Sequence, residues 1–325
     1  MLDSKEECIF IAGHNGMVGS ALIKKLNDEG YLNIITASRS ELDLLKQKDV
    51  KKFFKEHPVD TVVIAAAKVG GIYSNSTYPA DFMYQNLMIQ SNIINTCHEE
   101  DINNILFLGS SCIYPKEAIQ PINEDQLLQG PLESTNQWYA IAKIAGIKLC
   151  EAYNIQFNRD YRSIMPTNLY GPNDNFHELN GHVIPALISR FHRAVLEKST
   201  FIEIWGTGKA KREFLHVDDL ADGCVHLMKI DKLNYQKKIP TSNSHINIGT
   251  GIDIEIKMLI ELLTEISGFN GEIRFDSTKP DGTMRKVLDV SLAKSLNWNS
   301  KISFHDGLKD SYKWYLDHFQ DVKRS

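Results

Sequence analysis

Short apolar runs alternate with amphipathic segments through the first half of the chain. The runs are rich in β-branched residues, which is typical of strands buried in a parallel sheet. They cover residues 8–12, 33–37, 61–67, 105–108 and 161–165. Apolar residues recur at helical spacing after the first run and over residues 80–100. This alternation predicts an α/β fold built on a doubly wound parallel Rossmann sheet.

The pattern changes after Pro166, where loops, a helix over residues 183–195 and short strands at 201–205 and 246–248 replace the regular alternation. A change of this kind indicates a second region that packs over the carboxyl ends of the sheet and closes a cleft for substrate.

Two domains are therefore expected. Residues 1–170 would form a dinucleotide-binding Rossmann domain, with a return segment near residues 213–230. Residues 171–325 would mainly form a smaller mixed α/β domain that binds substrate.

The first strand runs into a glycine-rich turn, Gly13-His-Asn-Gly-Met-Val-Gly19, and a helical pattern follows. Glycines at such a turn let the backbone approach a pyrophosphate, and the new helix offers free N–H groups and a favourable dipole. The alternative is an ordinary strand-to-helix turn, but the position after the first strand favours the dinucleotide site. The expected contacts are Gly13, Asn15, Gly16, Met17, Val18 and Gly19.

The second strand ends in Ser38-Arg39 without an acidic residue directly after it. An acid here would bind a ribose 2′-hydroxyl, whereas an arginine suits a 2′-phosphate, so the sequence favours NADP over NAD. Two alternatives remain open. Arg39 could be a solvated loop cation, and Glu41 or Asp43 could supply the missing acid.

Composition narrows the class of protein. The 325 residues carry a net charge of −5 with pI near 6.1, which argues against a nucleic-acid binder or a membrane-surface protein. The five cysteines form no close pairs, so we expect neither a disulfide framework nor a metal site. The polar N-terminus does not resemble an export signal. We expect a cytoplasmic protein.

The strand at 105–108 delivers Ser110 and Cys112 to the carboxyl end of the sheet, where α/β proteins place their chemistry. Tyr139 and Lys143 are four residues apart and therefore share one face of a helix. An ammonium beside a phenol is expected to lower the pKa of the phenol. Chance alone could supply such a pair, and a free cysteine is most often a small buried residue.

Eight motifs in order resemble the extended short-chain dehydrogenase/reductase family, and within it the branch that epimerises and reduces GDP-4-keto sugars. They lie at residues 13–19, 108–115, 130–133, 138–143, 168–172, 182–186, 212–219 and 279–283. The resemblance implies a Ser110, Tyr139 and Lys143 reductase triad, with Cys112 and His182 as the epimerisation pair. Without it, His182 would be interpreted as a hydrogen-bonded core or loop histidine.

The same resemblance implies NADP(H) as cofactor and GDP-4-keto-6-deoxy-D-mannose as substrate, with 3,5-epimerisation and 4-keto reduction giving GDP-L-fucose. Lys143 and His182 would also contact the cofactor. Further cofactor contacts would be Arg39, Leu108, Gly109, Pro166, Asn168 and Leu169. The GDP contacts would be Arg190, Trp205, Arg212 and Asp281. A homodimer would form through the helices at 80–100 and 138–153.

Several positions depart from the family pattern. Asn15 replaces an arginine, Ser134 and Gln137 replace a proline and a glutamate, Gly181 replaces a serine, and Met284 interrupts the last motif. These departures keep two alternatives open. One is a C4-reductase, with or without epimerisation, of another GDP-4-keto sugar such as a 6-deoxy-heptose or the colitose precursor. The other is a non-catalytic protein that responds to dinucleotides.

Overall fold

The computed structural model describes residues 1–177, 181–279 and 281–322, so Pro280 of the 279–283 motif lies outside the described residues. The strands are β1 (Ile9–Ala12), β2 (Ile34–Ile35), β3 (Thr61–Ile64), β4 (Asn104–Leu108), β5 (Asp160–Pro166), β6 (Asn168–Tyr170), β7 (Phe201–Trp205), β8 (Lys211–His216), β9 (His245–Ile248), β10 (Asp253–Glu255), β11 (Glu272–Asp276) and β12 (Arg285–Lys286). The α-helices are α1 (Met17–Asp28), α2 (Gln47–Glu56), α3 (Ile72–Thr77), α4 (Pro79–Glu99), α5 (Gln137–Phe157), α6 (Val183–Leu196), α7 (Val217–Lys229), α8 (Lys232–Lys238), α9 (Ile256–Ser267), α10 (Ser291–Ser295), α11 (Phe304–Asp317) and α12 (Phe319–Val322).

Six parallel strands form the large sheet in the order β2-β1-β3-β4-β5-β9. Helices α1 and α7 pack together on one face, and α4 packs against α2 and α5 on the other. The predicted doubly wound parallel Rossmann sheet is therefore confirmed. The order changes direction at β1, and the crevice beyond such a switch point is where α/β sheets bind ligands.

Two predicted strands are shorter than their apolar runs. Strand β2 covers Ile34–Ile35 of the expected 33–37, and it lies at the edge of the sheet, paired only with β1. Strand β3 ends at Ile64, before the end of the 61–67 run. Beyond it the backbone of Lys68 bonds through its N–H and carbonyl to the amide of Asn86 on α4, at 2.9 and 3.0 Å. A side chain therefore replaces the neighbouring strand as the partner of this backbone.

A smaller mixed region lies beyond β5. Strand β8 pairs with β10 on one side and with β12 on the other, and it also pairs with β6. Strands β7 and β11 form a separate two-stranded sheet. Helices α6, α9 and α11 pack with these strands around a separate core that includes Phe191, Ile204, Leu259 and Leu308. Both parallel and antiparallel pairs occur here.

The sequence suggested that a segment near residues 213–230 returns to the large sheet. The returning part of the chain is longer than this segment. Helix α7 packs on α1, and β9 then becomes the sixth strand, beside β5. Residues 246–248, expected in the second region, therefore belong to the large sheet, where every residue of β9 is buried. A short buried strand carries no pattern that says which sheet it will join.

The carboxylate of Glu213 on β8 connects the two regions. It is fully buried and accepts hydrogen bonds from the N–H groups of Gly251 and Leu288, both at 2.8 Å. Burial raises the pKa of this carboxyl. Because a buried carboxylate is costly unless hydrogen-bonded, these contacts fix the loops around it.

None of the helices in the described part of the chain combines the length and hydropathy that a bilayer crossing requires.

Candidate active site

The glycine turn after β1 has no room for a side chain at Gly13 or Gly19. Gly13 has φ of +89°, and a Cβ there would lie 2.7 Å from the backbone nitrogen of Ala66. A Cβ at Gly19 would lie 2.2 Å from the carbonyl oxygen of Gly13, which explains the close packing of α1 on the turn. Gly16 precedes α1 as an exposed residue, so no side chain covers the first helical N–H groups. This cradle fits the pyrophosphate of a dinucleotide.

Arg39 follows β2 in an exposed turn and makes no ion pair within the described residues. The nearby acids are already hydrogen-bonded to their own turn. Glu41 accepts from the N–H and the hydroxyl of Ser38, at 2.8 and 2.7 Å, and this bonding lowers its pKa. Asp43 accepts from the N–H of Leu45 at 3.1 Å. A free guanidinium beside two engaged carboxylates favours an anionic ligand at this turn.

Ser110 and Cys112 lie at the carboxyl end of β4, as the sequence predicts. The Ser110 side chain accepts a hydrogen bond from the Cys112 N–H at 3.3 Å and so starts the single helical turn Ser111–Ile113. Cys112 is half-buried, whereas the other four cysteines are buried. Its Sγ accepts a hydrogen bond from the side-chain amide of Asn136 at 3.3 Å.

Tyr139 and Lys143 lie on α5 and are one turn apart. The Lys143 ammonium donates a 2.8 Å hydrogen bond to the Leu108 carbonyl and lies 5.8 Å from the centre of the Tyr139 ring. Burial lowers the pKa of Lys143 to about 7. The Ser110 hydroxyl lies near enough to the phenol to lower its pKa, and Ser110 is bonded to the Cys112 N–H, so Ser110, Cys112 and Tyr139 lie together.

The expectation that Lys143 lowers the pKa of the phenol is wrong. Burial, and then the nearby Cys112 sulfur, raise the pKa of Tyr139 well above its usual value, and the nearby Ser110 hydroxyl opposes this rise only in part. The reason is the direction of the Lys143 ammonium, which bonds to the Leu108 carbonyl and not to the phenol. Spacing on a helix fixes the shared face but not this choice of partner.

His182 directly precedes α6, and its carbonyl accepts from the N–H of Ala186 at 3.1 Å. The side chain is exposed, yet the surrounding protein displaces enough water to lower its pKa below the usual value. Within the described residues, no hydrogen bond or ring contact joins His182 to Cys112. At Gly181 a Cβ would lie 2.3 Å from the carbonyl oxygen of Asn175, so the serine that the family pattern predicts at this position would clash with this backbone.

The four residues expected to contact GDP gather around the end of β7. Arg190 on α6 donates to the Glu203 carbonyl at 3.0 Å, and Trp205, which is 63% exposed, lies in the same groove of about 330 Å³. Beyond Trp205, Asp281 accepts from the N–H and the hydroxyl of Thr207, at 2.7 and 2.8 Å, which lowers its pKa.

The last of the four, Arg212, is tied to the same loop. Its guanidinium donates to the Asp281 carbonyl at 3.4 Å, and burial lowers its pKa. At the sheet itself, Pro166 ends β5 and Asn168 begins β6, with the Asn168 amide donating to the Glu213 carbonyl at 2.9 Å. Leu169 packs against the core on the face of the large sheet that α1 and α7 cover. These three residues lie at or just after the end of β5, and β5 is the neighbour of β4.

Two residues at the site escaped the sequence analysis. Asn136 holds Cys112, and Phe82 on α4 presents its ring edge-on to Tyr139, with centroids 6.4 Å apart. Asn136 lies three residues before Tyr139, between Ser134 and Gln137, which depart from the family pattern. Its residue type gave no signal, because asparagine before a helix usually indicates only an N-cap.

A parallel sheet with a glycine cradle at its switch point defines a dinucleotide-binding enzyme class. A family model described as the NAD dependent epimerase/dehydratase family matches residues 9–249, and the chain belongs to that family. The resemblance to extended short-chain dehydrogenases/reductases is thereby confirmed, and the cofactor is a nicotinamide dinucleotide.

Individual relatives cover nearly the whole chain. GDP-L-fucose synthase of Escherichia coli (strain K12) is 53% identical over 309 residues, which are 95% of this chain and 96% of that protein. GDP-L-fucose synthase 1 of Arabidopsis thaliana is 52% identical and covers 97% of this chain and 95% of its own. A solved GDP-mannoheptose C4 reductase from Campylobacter jejuni with NADP bound has a TM-score of 0.88 at 40% identity, covering 96% of this chain and 99% of its own.

Proposed function

We propose that the chain epimerises GDP-4-keto-6-deoxy-D-mannose at C3 and C5 and then reduces C4 with NADPH to give GDP-L-fucose. The observation that carries this proposal is a half-buried thiol, Cys112, at the carboxyl end of β4, whose backbone N–H bonds to the Ser110 side chain and whose sulfur is near enough to Tyr139 to raise the pKa of the phenol. A plain reductase needs the hydroxyl and the phenol but has no use for the thiol. The relatives named GDP-L-fucose synthase support the same reaction.

In the reduction, Ser110 and Tyr139 would both hydrogen-bond to the C4 oxygen. The raised pKa of Tyr139 keeps its phenol protonated at neutral pH, so the phenol can give its proton to the oxygen as the C4–H bond forms. The nicotinamide supplies the hydride when the cofactor is bound. Lys143, held against β4 by the Leu108 carbonyl, would place its amine beside the nicotinamide ribose.

In the epimerisation, one group must remove a proton from the carbon next to the ketone, and another must return a proton on the opposite face. Cys112 and His182 would take these roles. The lowered pKa of His182 leaves its imidazole mostly neutral near pH 7, so it would need to take up a proton before it can return one. Ser110 and Tyr139 would stabilise the enolate oxygen that forms at C4 in between.

For the cofactor, we infer NADP rather than NAD. Arg39 is exposed and free of ion pairs within the described chain, which suits the 2′-phosphate that only NADP carries. Glu41, which would compete for a ribose hydroxyl, is held by Ser38. Asn15 is exposed at the glycine turn and offers a neutral contact where relatives carry an arginine.

For the substrate, the groove of Arg190 and Trp205 would hold the GDP part, with an aromatic face for the base and guanidinium groups for the diphosphate.

We further infer a homodimer through α4 and α5, whose surfaces expose Tyr84, Ile155 and Phe157. Five free thiols suit a reducing cytoplasm. Sedimentation should give twice the chain mass of 36.9 kDa.

A direct assay would follow NADPH absorbance at 340 nm with two substrates, GDP-4-keto-6-deoxy-D-mannose and a GDP-4-keto-heptose, and identify each product by NMR. Faster turnover of the first, with GDP-L-fucose as product, is expected. Preference for the heptose would favour the alternative that the 40% identical heptose reductase suggests. Unchanged absorbance with both would indicate a non-catalytic binding protein.

A further inference from the structure

Asn136 stands at the start of α5 without acting as the cap of that helix. Its backbone has φ of −134° and ψ of 15°, outside the helix, and its carbonyl accepts the first helical bond from Ala140 at 3.0 Å. Asparagine in this position usually turns its side chain onto the free N–H groups of the helix. Here the side chain makes no capping bond and instead donates through Nδ2 to the Cys112 sulfur at 3.3 Å.

The other half of the same amide is unused. The Asn136 Oδ1 atom is buried and has no hydrogen-bond partner among the described residues. An asparagine that served only to hold two elements together would be expected to bond through both ends, because a buried acceptor without a partner costs free energy. A substrate hydroxyl beside Cys112 would provide the missing donor.

We propose that Asn136 is a positioning residue for the epimerisation step, a proposal that rests on the function proposed above. Cys112 acts there as a thiolate: its sulfur takes the proton of the C–H bond, and the electrons of that bond pass into the enolate of the substrate. A thiolate can only accept hydrogen bonds, so the Asn136 N–H is matched to the sulfur before proton transfer. It aims the sulfur at the sugar without adding a charge.

The first test measures the sulfur in the free enzyme, without substrate. Iodoacetamide should alkylate Cys112 selectively because Cys8, Cys97, Cys150 and Cys224 are buried, and a Cys112→Ser variant gives the background rate. Asn136→Ala removes both ends of the amide, whereas Asn136→Asp keeps the shape and the oxygen acceptors but loses the N–H donor. Both should slow alkylation at pH 7 by roughly fivefold or more, since a hydrogen bond to a charged group is worth more than a neutral one.

Gln137→Ala is the matched control. Gln137 is the next residue, and within the described chain its amide donates to the Ser134 carbonyl at 3.4 Å and not to Cys112, so alkylation should proceed at the wild-type rate. NADPH binding and melting temperature verify that each variant is folded. If Asn136→Ala fails to fold, the isosteric Asn136→Asp variant carries the test alone. Wild-type alkylation rates in the folded variants would overturn the proposal.

The second test separates positioning from a general structural role. In deuterated water, Asn136→Asp should lower deuterium entry at C3 and C5 by about tenfold while NADPH binding is retained. Equal exchange in Asn136→Asp and wild type would show that the amide oxygen, and not the N–H, matters, and would overturn the proposal. If wild type itself shows no exchange while the variants still slow alkylation, the proposed function fails but the link between Asn136 and Cys112 stands.

Discussion

The side-chain amine of Lys143 is bonded to the carbonyl of Leu108 at 2.8 Å, which joins α5 to the last residue of β4. Lys143 is 3% exposed, and burial brings its pKa from 10.5 to about 7. Lys143 is therefore a structural contact between α5 and β4, and with a pKa of about 7 its charge changes within the physiological pH range.

Lys143→Met should stabilise the chain most at neutral pH. The pKa of Lys143 is lower in the folded state, so the unfolded state binds the extra proton between pH 10.5 and about 7. As the pH falls from 10.5 to about 7, protonation of Lys143 in the unfolded state therefore lowers the free energy of unfolding of the wild-type chain. Above pH 10.5 this loss is absent, because the lysine is neutral in both states. The difference between variant and wild type should grow over that window by up to roughly a few kcal/mol, at about 1.4 kcal/mol per pKa unit.

Urea unfolding of Lys143→Met and wild type at several pH values between 6.5 and 10.5 measures this difference. Loss of the bond to Leu108 would add a constant offset at every pH. A difference that does not vary with pH would contradict the lowered pKa of Lys143.

Tyr139→Phe should stop the reduction but only slow the exchange of C3 and C5 protons. The phenylalanine keeps the edge-on contact with Phe82 but has no proton to give, so NADPH oxidation should fall by about 100-fold or more. Deuterium entry should become slower but continue, because Cys112 and His182 are retained and Ser110 can still bond to the enolate oxygen. An oxidation rate within about threefold of wild type would rule out the phenol as the proton donor.

Cys112→Ser should have the opposite effect. A serine hydroxyl is a far weaker acid than a thiol and is not available as an anionic base, so exchange at C3 and C5 should fall by about 100-fold or more. NADPH binding should survive, since the glycine cradle is unaffected. Mass spectrometry of substrate recovered from deuterated water gives the rate, and undiminished exchange would exclude Cys112 as the base.

Arg39→Ala should weaken the use of NADPH specifically. Loss of a guanidinium to phosphate contact should raise the KM for NADPH by about tenfold to 100-fold, while the KM for NADH, which lacks the 2′-phosphate, stays unchanged. Initial rates with each cofactor measure both constants. Equal increases for the two cofactors would assign Arg39 to the turn itself and not to the phosphate.

The sequence predicted most of the sheet well because strands such as β1, β3 and β5 are buried along their whole length and leave a clear apolar pattern. The glycine turn was equally visible, since Gly13 and Gly19 admit no side chain. Strand β9 was assigned to the other region, because its four residues pair only through contacts distant in sequence.

Side-chain partners were harder to predict than strands. The spacing of Tyr139 and Lys143 gave their shared face, but the bond of Lys143 to Leu108 depends on how α5 approaches β4. The bond from Asn136 to Cys112 joins residues 24 positions apart, and no local pattern encodes it. Such contacts arise from packing of whole elements, and they decide the pKa of Tyr139 and the direction of the sulfur.

The deuterium content of the product tests the proposed epimerisation at C3 and C5 most directly. Wild-type enzyme, NADPH and GDP-4-keto-6-deoxy-D-mannose are combined in deuterated water, and the product is analysed by NMR. The expected product is GDP-L-fucose carrying deuterium at both C3 and C5, because Cys112 and His182 would exchange protons with solvent before C4 is reduced. A reduced product with hydrogen at both positions would contradict the epimerase claim.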